Sequence, residues 1–205
     1  MPDRVRIKVC GLTTLEAIEA AIEAGVDAVG VVLSASPRRV TVDRAAELLD
    51  SVPEHVLPVA VYKHPERALV GAAVGALPPR VMHQSDATDF EGALSCVRLE
   101  QRVPVVRTVD GFETAMRRHE GRLVLIEGAH SGAGQLADWH RAAGWMSRAD
   151  IMIAGGLHTG NVGGVVRDLR PFAVDVSSGV ESSPGIKDPT KIRAFVAAVR
   201  EAQTT

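Results

Sequence analysis

Short apolar runs rich in Val and Ile recur along the chain, separated by longer stretches that carry Ala and Glu at helical spacing. The strand-like runs cover residues 5–9, 28–33, 57–62, 80–83, 103–108, 123–127, 151–154 and 172–176. A helix-like segment follows each, beginning near Thr14, Val42, His64, Thr88, Gly111, Ala137, Thr159 and Pro189. Strands covered by helices on their outer face read as continuous apolar runs, whereas an antiparallel sheet with one wet face shows polar alternation and tight hairpins. The repeated unit therefore predicts an α/β fold in which residues 1–205 form a single-domain (β/α)8 TIM barrel. An open doubly wound sheet is the competitor, but it usually has about five or six strands, and no Gly-x-Gly-x-x-Gly turn follows the first run here.

Composition narrows the function classes. Of 205 residues, 46% are hydrophobic and 3% aromatic, so the core is built from Val, Leu, Ile and Ala, with no aromatic platform for stacked bases. The formal charge is -2 and no basic run is present, which argues against nucleic-acid binding. The longest apolar stretches are of strand length, and Asp3, Arg4, Arg6 and Lys8 stand where a secretory signal would be apolar, so neither a membrane span nor secretion is expected. Cys10 and Cys96 match neither a disulfide framework nor a zinc spacing, and a reducing cytoplasm is expected. Nothing in the helix faces separates a monomer from a homodimer.

In a barrel of this kind chemistry sits at the C-terminal ends of the strands, and a phosphate commonly binds after strands seven and eight. Ala154-Gly155-Gly156-Leu157 follows the seventh run and Ser177-Ser178-Gly179-Val180 the eighth. Both supply unobstructed backbone N–H groups, and the second adds two hydroxyls, so Gly155, Gly156, Ser177, Ser178 and Gly179 are candidate phosphate ligands. In the first run alternation turns Val5, Ile7 and Val9 toward the helices and Lys8 and Cys10 into the mouth. There the Lys8 ammonium would lower the Cys10 thiol from its free pKa of about 8.5 and make it a plausible base. Cys96 reads as a small packed residue in its helix. Glu127 closes the sixth run above Leu125, where desolvation would raise its pKa and suit it to general-acid work. Asp175, between Val174 and Val176, needs a cation, which Lys8 or a ligand could supply. Arg38, on a proline-stiffened loop, could pair bidentately with a substrate carboxylate.

The motifs Lys8-Val9-Cys10-Gly11-Leu12-Thr13, Ser36-Pro37-Arg38-Arg39-Val40, Ala154-Gly155-Gly156-Leu157, Val174-Asp175-Val176-Ser177-Ser178-Gly179-Val180-Glu181 and Pro184-Gly185-Ile186-Lys187-Asp188 together resemble the phosphoribosylanthranilate isomerases of tryptophan biosynthesis. The likeness spans essentially the whole chain. It implies an Amadori rearrangement of a phosphorylated ribose substrate without metal or organic cofactor. An acid helps open the ribose ring to a Schiff base, and a base removes the C2′ proton. Carried over by position, Cys10 matches the base, Arg38 the contact to the anthranilate carboxylate, Asp175 an active-site aspartate, and Gly155, Gly156, Ser177 and Ser178 the phosphate segments. His83, kept from the family's strand-four motif, is placed with Lys8 among the substrate contacts.

The departures lie in the middle of the chain. Glu127 stands where the family has aspartate, and the extra methylene moves the acid by more than about an ångström. The strand-four Gln-Leu-His-Gly reads Val81-Met82-His83-Gln84, and the loop after strand six keeps Gly-Gly-Thr-Gly only as Ser131-Gly132-Ala133-Gly134. Two further functions are therefore weighed beside the isomerase: a specialised-metabolism paralogue acting on another phosphosugar conjugate, and a non-catalytic barrel that binds a phosphometabolite.

Overall fold

In the computed structural model, which describes residues 4–128 and 139–204, eight parallel strands close into a barrel in chain order. They are β1 (Arg6–Cys10), β2 (Ala28–Val32), β3 (Leu57–Tyr62), β4 (Met82–Ser85), β5 (Arg102–Arg107), β6 (Leu123–Glu127), β7 (Asp150–Ile153) and β8 (Ala173–Val176). β1 closes the ring against β8 in a register that sets Lys8 beside Asp175. The predicted alternation holds: Ile7 and Val9 are fully buried against the helical layer, and that burial is worth roughly 1.5–3 kcal/mol each. Inside the barrel a small separate cluster of Val103, Leu125, Met152, Ala154 and Ala173 plugs the centre beneath the mouth.

The outer layer comprises α1 (Leu15–Glu23), α2 (Val42–Asp50), α3 (Arg67–Ala76), α4 (Phe90–Ala93), α5 (Phe112–Arg117), α6 (Thr159–Leu169) and α7 (Pro189–Gln203). Their starts follow local chemistry. The Thr14 hydroxyl accepts from the Ala17 N–H, Thr41 from Arg44, and Asp188 from Thr190 and Lys191 behind Pro189, each satisfying donors that the first turn leaves unpaired.

Three elements differ from the sequence expectation. β4 runs to Ser85, beyond the apolar run that ends at His83, because Gln84 and Ser85 are buried polar residues that hydropathy reads as loop. The sixth unit carries, among the described residues, a 3₁₀ segment Trp139–Trp145 in place of an α-helix, anchored by buried Trp145 and by Trp139 Nε1 donating to the Ala154 carbonyl at 2.9 Å. The expected start at Ala137 lies outside the described residues. The connection from β8 to α7 folds into a 3₁₀ turn, Ser178–Val180, and a hairpin of β9 (Glu181–Ser183) and β10 (Ile186–Lys187). Gly185 turns that hairpin at φ +86°, and a Cβ on it would stand 2.8 Å from the Pro37 carbonyl, so the hairpin rests on the β2–α2 loop at the rim.

Candidate active site

The C-terminal strand ends surround a cavity of about 720 Å³ whose lining includes Cys10, Arg38, Gln84, Glu127, Asp175 and Ser177. Five of these, all but Gln84, were named from the sequence as site residues, and the fold brings them together from four different strands or the loops that follow them.

Lys8 Nζ lies 2.9 Å from Asp175 Oδ1, with both side chains almost wholly buried. Burial pulls the Lys8 pKa down, but Asp175 outweighs it and holds the ammonium protonated. Cys10 stands beside this pair. Gly30 of β2 makes the room, since a Cβ there would come within 3.2 Å of Lys8 Cε and 3.3 Å of Cys10 Sγ. The expectation that Lys8 lowers the thiol is corrected: burial pushes the Cys10 pKa up, and Lys8 and Lys187 offset only part of that. The Asp175 carboxylate beside the sulfur adds to the rise, and burial outweighs the Lys8 ammonium. Cys96 is corrected too: it follows α4 and is exposed.

Arg38 occupies the mouth, but its side edge is engaged. Nε and Nη2 donate to the two carboxylate oxygens of Glu181 at 2.7 and 2.9 Å, and Lys187 Nζ donates to Glu181 Oε1 at 2.6 Å and to the Ser177 carbonyl at 3.0 Å. Burial alone would raise the Glu181 carboxyl, yet the bonds from Arg38 and Lys187 hold it below the usual carboxylate range. A bidentate substrate contact through Nε and Nη2 is thereby excluded, and the end edge, Nη1 with Nη2, is the one left for a ligand. Gly11, at φ +77°, is required here because a Cβ would lie 2.5 Å from Arg38 Cδ. Sequence reasoning quoted Glu181 and Lys187 within motifs but gave them no role. Their signal was an acid and a lysine bracketing Ser182-Ser183-Pro184-Gly185.

The two phosphate segments meet. A Cβ on Gly179 would stand 2.0 Å from the Leu157 carbonyl oxygen, so only glycine lets the β8 loop lie on the β7 loop. Gly155 and Gly156 have φ +89° and +75°, and their N–H groups make no backbone hydrogen bond among the described residues. Ser177 and Ser178 line the cavity, and Ser177 Oγ donates to the Cys10 carbonyl at 2.9 Å. Among the described residues the Gly155 and Gly156 N–H groups thus form a shelf of donors beside the Arg38 and Lys187 cations, a setting suited to an anion.

Glu127 is placed at the mouth as expected, with Leu125 beneath it, but its surroundings are not simply apolar. Arg107, its register partner on β5, sets Nη1 3.4 Å from Glu127 Oε2 and Nη2 2.5 Å from Asp86 Oδ2. Asp86 was missed because it follows the polar end of β4, which reads as loop, and Arg107, the last residue of β5, was read only as part of its strand.

His83 is the residue that the fold keeps away. β4 turns Met82 and Gln84 inward, and His83 faces the helical layer beside Leu77, Cys96 and Val97. Its Nδ1 lies 2.8 Å from Tyr62 Oη, the rings stack at 5.9 Å, and burial lowers its pKa to about 4. It therefore cannot contact a ligand in the mouth, and its substrate role is withdrawn. The Ser131-Gly132-Ala133-Gly134 loop lies outside the described residues.

Comparison with known proteins gives one consistent result. The family model described as N-(5'phosphoribosyl)anthranilate (PRA) isomerase matches residues 7–198. A protein of Dechloromonas aromatica (strain RCB) named N-(5'-phosphoribosyl)anthranilate isomerase is 40% identical over 204 residues, covering 97% of this chain and 98% of its own. Among solved structures, phosphoribosyl anthranilate isomerase from Thermotoga maritima superposes with a TM-score of 0.84 at 28% identity, covering 96% of this chain and 99% of its own. A phosphoribosyl anthranilate isomerase in complex with reduced 1-(o-carboxyphenylamino)-1-deoxyribulose 5-phosphate gives a TM-score of 0.82 at 27% identity, with the same two coverages. With its barrel, its paired glycine and serine loops and its matching motifs, this chain belongs to the phosphoribosylanthranilate isomerase family of enzymes.

Proposed function

We propose that the chain converts N-(5'-phosphoribosyl)anthranilate into 1-(o-carboxyphenylamino)-1-deoxyribulose 5-phosphate. The observation that carries this is the placement of Cys10 and Glu127 on β1 and β6, lining one cavity whose rim carries the anion shelf of β7 and β8. A thiol and a carboxyl across one pocket are what an aldose-to-ketose shift of a phosphorylated sugar requires, and the complex of the related isomerase holds a reduced form of that product.

The N–H groups of Gly155, Gly156, Ser178 and Gly179 hold the phosphate beside Ser177, whose hydroxyl is bonded to the Cys10 carbonyl. The end edge of Arg38 takes the anthranilate carboxylate, kept in place by Glu181. Glu127 gives a proton to the ribose ring oxygen as the C1′–O bond breaks and the Schiff base forms. The Cys10 thiolate then removes the C2′ proton, and electrons move into C1′–C2′ as the imine nitrogen is neutralised. Proton uptake at C1′ and loss of the O2′ proton give the ketone and restore both groups. Lys8 and Lys187 favour the thiolate that this step uses, while burial keeps it the minority form at neutral pH. No helix among the described residues is long and apolar enough to cross a membrane. Two free cysteines support a reducing cytoplasm as the working compartment.

Growth rescue of a bacterial strain lacking its own phosphoribosylanthranilate isomerase, on medium without tryptophan, tests the proposal. Rescue by the wild-type chain is expected. Failure to rescue with folded protein present in the cells rejects it.

A further inference from the structure

The tops of β4, β5 and β6 carry three charged side chains in a row, and the reaction described above uses only one of them. Val103 and Val105 on β5 and Leu123 and Leu125 on β6 face the interior of the barrel, so the same parity turns Arg107 and Glu127 toward its mouth, where the two are register partners. Asp86 follows the end of β4, two residues beyond Gln84. Arg107 joins all three strands: Nη2 donates to Asp86 Oδ2 at 2.5 Å, while Nη1 reaches Glu127 Oε2 at 3.4 Å and the Gly128 carbonyl at 3.2 Å. Asp86 is itself fixed, because its Oδ1 accepts from the His64 backbone N–H at 2.8 Å. The Asp86 and Arg107 side chains are 5% and 19% exposed. Taking a carboxylate and a guanidinium this far out of water costs free energy that their mutual bond at best repays, so stability does not account for the pair. What the pair does supply is direction. Glu127 lines the mouth cavity, whereas Arg107 borders the adjoining pocket between β5, α4 and α5, so any effect of Arg107 on chemistry runs through Glu127.

We infer that Arg107 is a positioning residue which, anchored on Asp86, holds the Glu127 carboxyl in line with the ring oxygen of the substrate. Glu127 has one more rotatable bond than the aspartate that the family carries at this position, and a proton donor free to sample several rotamers spends less time aligned with its acceptor. The chain of contacts removes that freedom: the His64 N–H fixes Asp86, Asp86 fixes the guanidinium, and the guanidinium fixes Oε2. As the proton passes from Glu127 to the ring oxygen and the C1′–O bond breaks, the same cation stabilises the carboxylate left behind. This assignment rests on the function proposed above, in which Glu127 is the acid, and adds the pair that aims it.

The test is a double-mutant cycle on Arg107→Met and Glu127→Gln, with Asp86→Asn/Arg107→Met as a second way of removing the guanidinium that leaves no lone buried carboxylate. Turnover is followed by the loss of phosphoribosylanthranilate fluorescence. It is counted per binding site from the calorimetric stoichiometry of reduced 1-(o-carboxyphenylamino)-1-deoxyribulose 5-phosphate, a titration that also gives affinity. Without Arg107, kcat is expected to fall about tenfold while KM and affinity for the conjugate stay within about twofold of the wild type. In the Glu127→Gln background the same change is expected to alter kcat by less than about twofold, because the group that Arg107 aims is already gone. An equal fall in both backgrounds overturns the inference, since Arg107 then acts otherwise than through Glu127. Wild-type kcat in both Arg107 variants overturns it, as does weakened binding with kcat kept, which marks a substrate contact. Loss of the binding sites themselves in both Arg107 variants also overturns it, since that is a role in the fold. Wild-type kcat in Glu127→Gln, or a folded wild type without turnover, overturns the proposed function and this inference with it.

Discussion

Replacing His83 with asparagine separates the two roles the residue has been given, one at the substrate and one in the outer core. His83 is 4% exposed, hydrogen-bonded to Tyr62 and held neutral by burial, with its pKa lowered from 6.5 to about 4. Tyr62 is likewise kept protonated by burial, so it can donate to a neutral imidazole. In the unfolded chain the imidazole takes up its proton near pH 6.5, whereas the native chain resists until about pH 4. The unfolded state thus binds more protons across this window, and native stability falls as pH drops through it, being full above about 6.5 and level again below about 4. At about 1.4 kcal/mol per pH unit the loss attributable to His83 is ~3.5 kcal/mol, or on the order of 10 °C in thermal midpoint for a chain of this size. Urea unfolding at closely spaced pH values from 7.5 to 3.5 measures it. Asparagine can still bond Tyr62 but does not titrate, so the difference between the two profiles isolates the imidazole from the other titrating groups. The variant should show the shallower profile and keep kcat/KM within about twofold at pH 7.5. Parallel profiles would refute the buried neutral histidine, and a large fall in kcat/KM with stability intact would return His83 to the substrate.

Two other changes follow from contacts at the rim. Gly179→Ala drives a methyl group into the Leu157 carbonyl and must part the β7 and β8 loops; about 1–3 kcal/mol of destabilisation and a raised KM are expected, read from thermal melts and steady-state kinetics, and an unchanged KM would contradict the phosphate shelf. Glu181→Gln leaves the buried Arg38 and Lys187 cations with a neutral amide; roughly 3 kcal/mol less stability by urea unfolding and a KM effect exceeding the kcat effect are expected, because Arg38 loses its aim at the substrate carboxylate.

The barrel was legible because covered parallel strands and amphipathic helices leave different periods in the sequence, and glycine and serine clusters punctuate them. Lys8, Cys10, Asp175 and Glu127 were legible as mouth residues because parity along a strand assigns faces. What failed did so for identifiable reasons. The pKa direction of Cys10 turned on how deeply the sulfur is buried and on the Asp175 charge beside it, which together outweigh the Lys8 ammonium, and residue types along a strand do not reveal that depth. The Arg38 fork was expected to be open because Glu181, 143 positions away, carries no local mark as its partner. His83 was assigned from a motif match, while its face depends on one-residue parity in a strand whose polar end hid its true span. The β9–β10 hairpin escaped because runs of three and two residues have no measurable period.

The most direct measurement is the loss of phosphoribosylanthranilate fluorescence on adding purified protein, made side by side on the wild type, Cys10→Ala and Glu127→Gln. Base and acid acting at C2′ and the ring oxygen predict rapid decay with the wild type and a loss of about 10²-fold or more in kcat for each variant, all three folded by circular dichroism. Decay at the wild-type rate in both variants, or none with the folded wild type, would contradict the account.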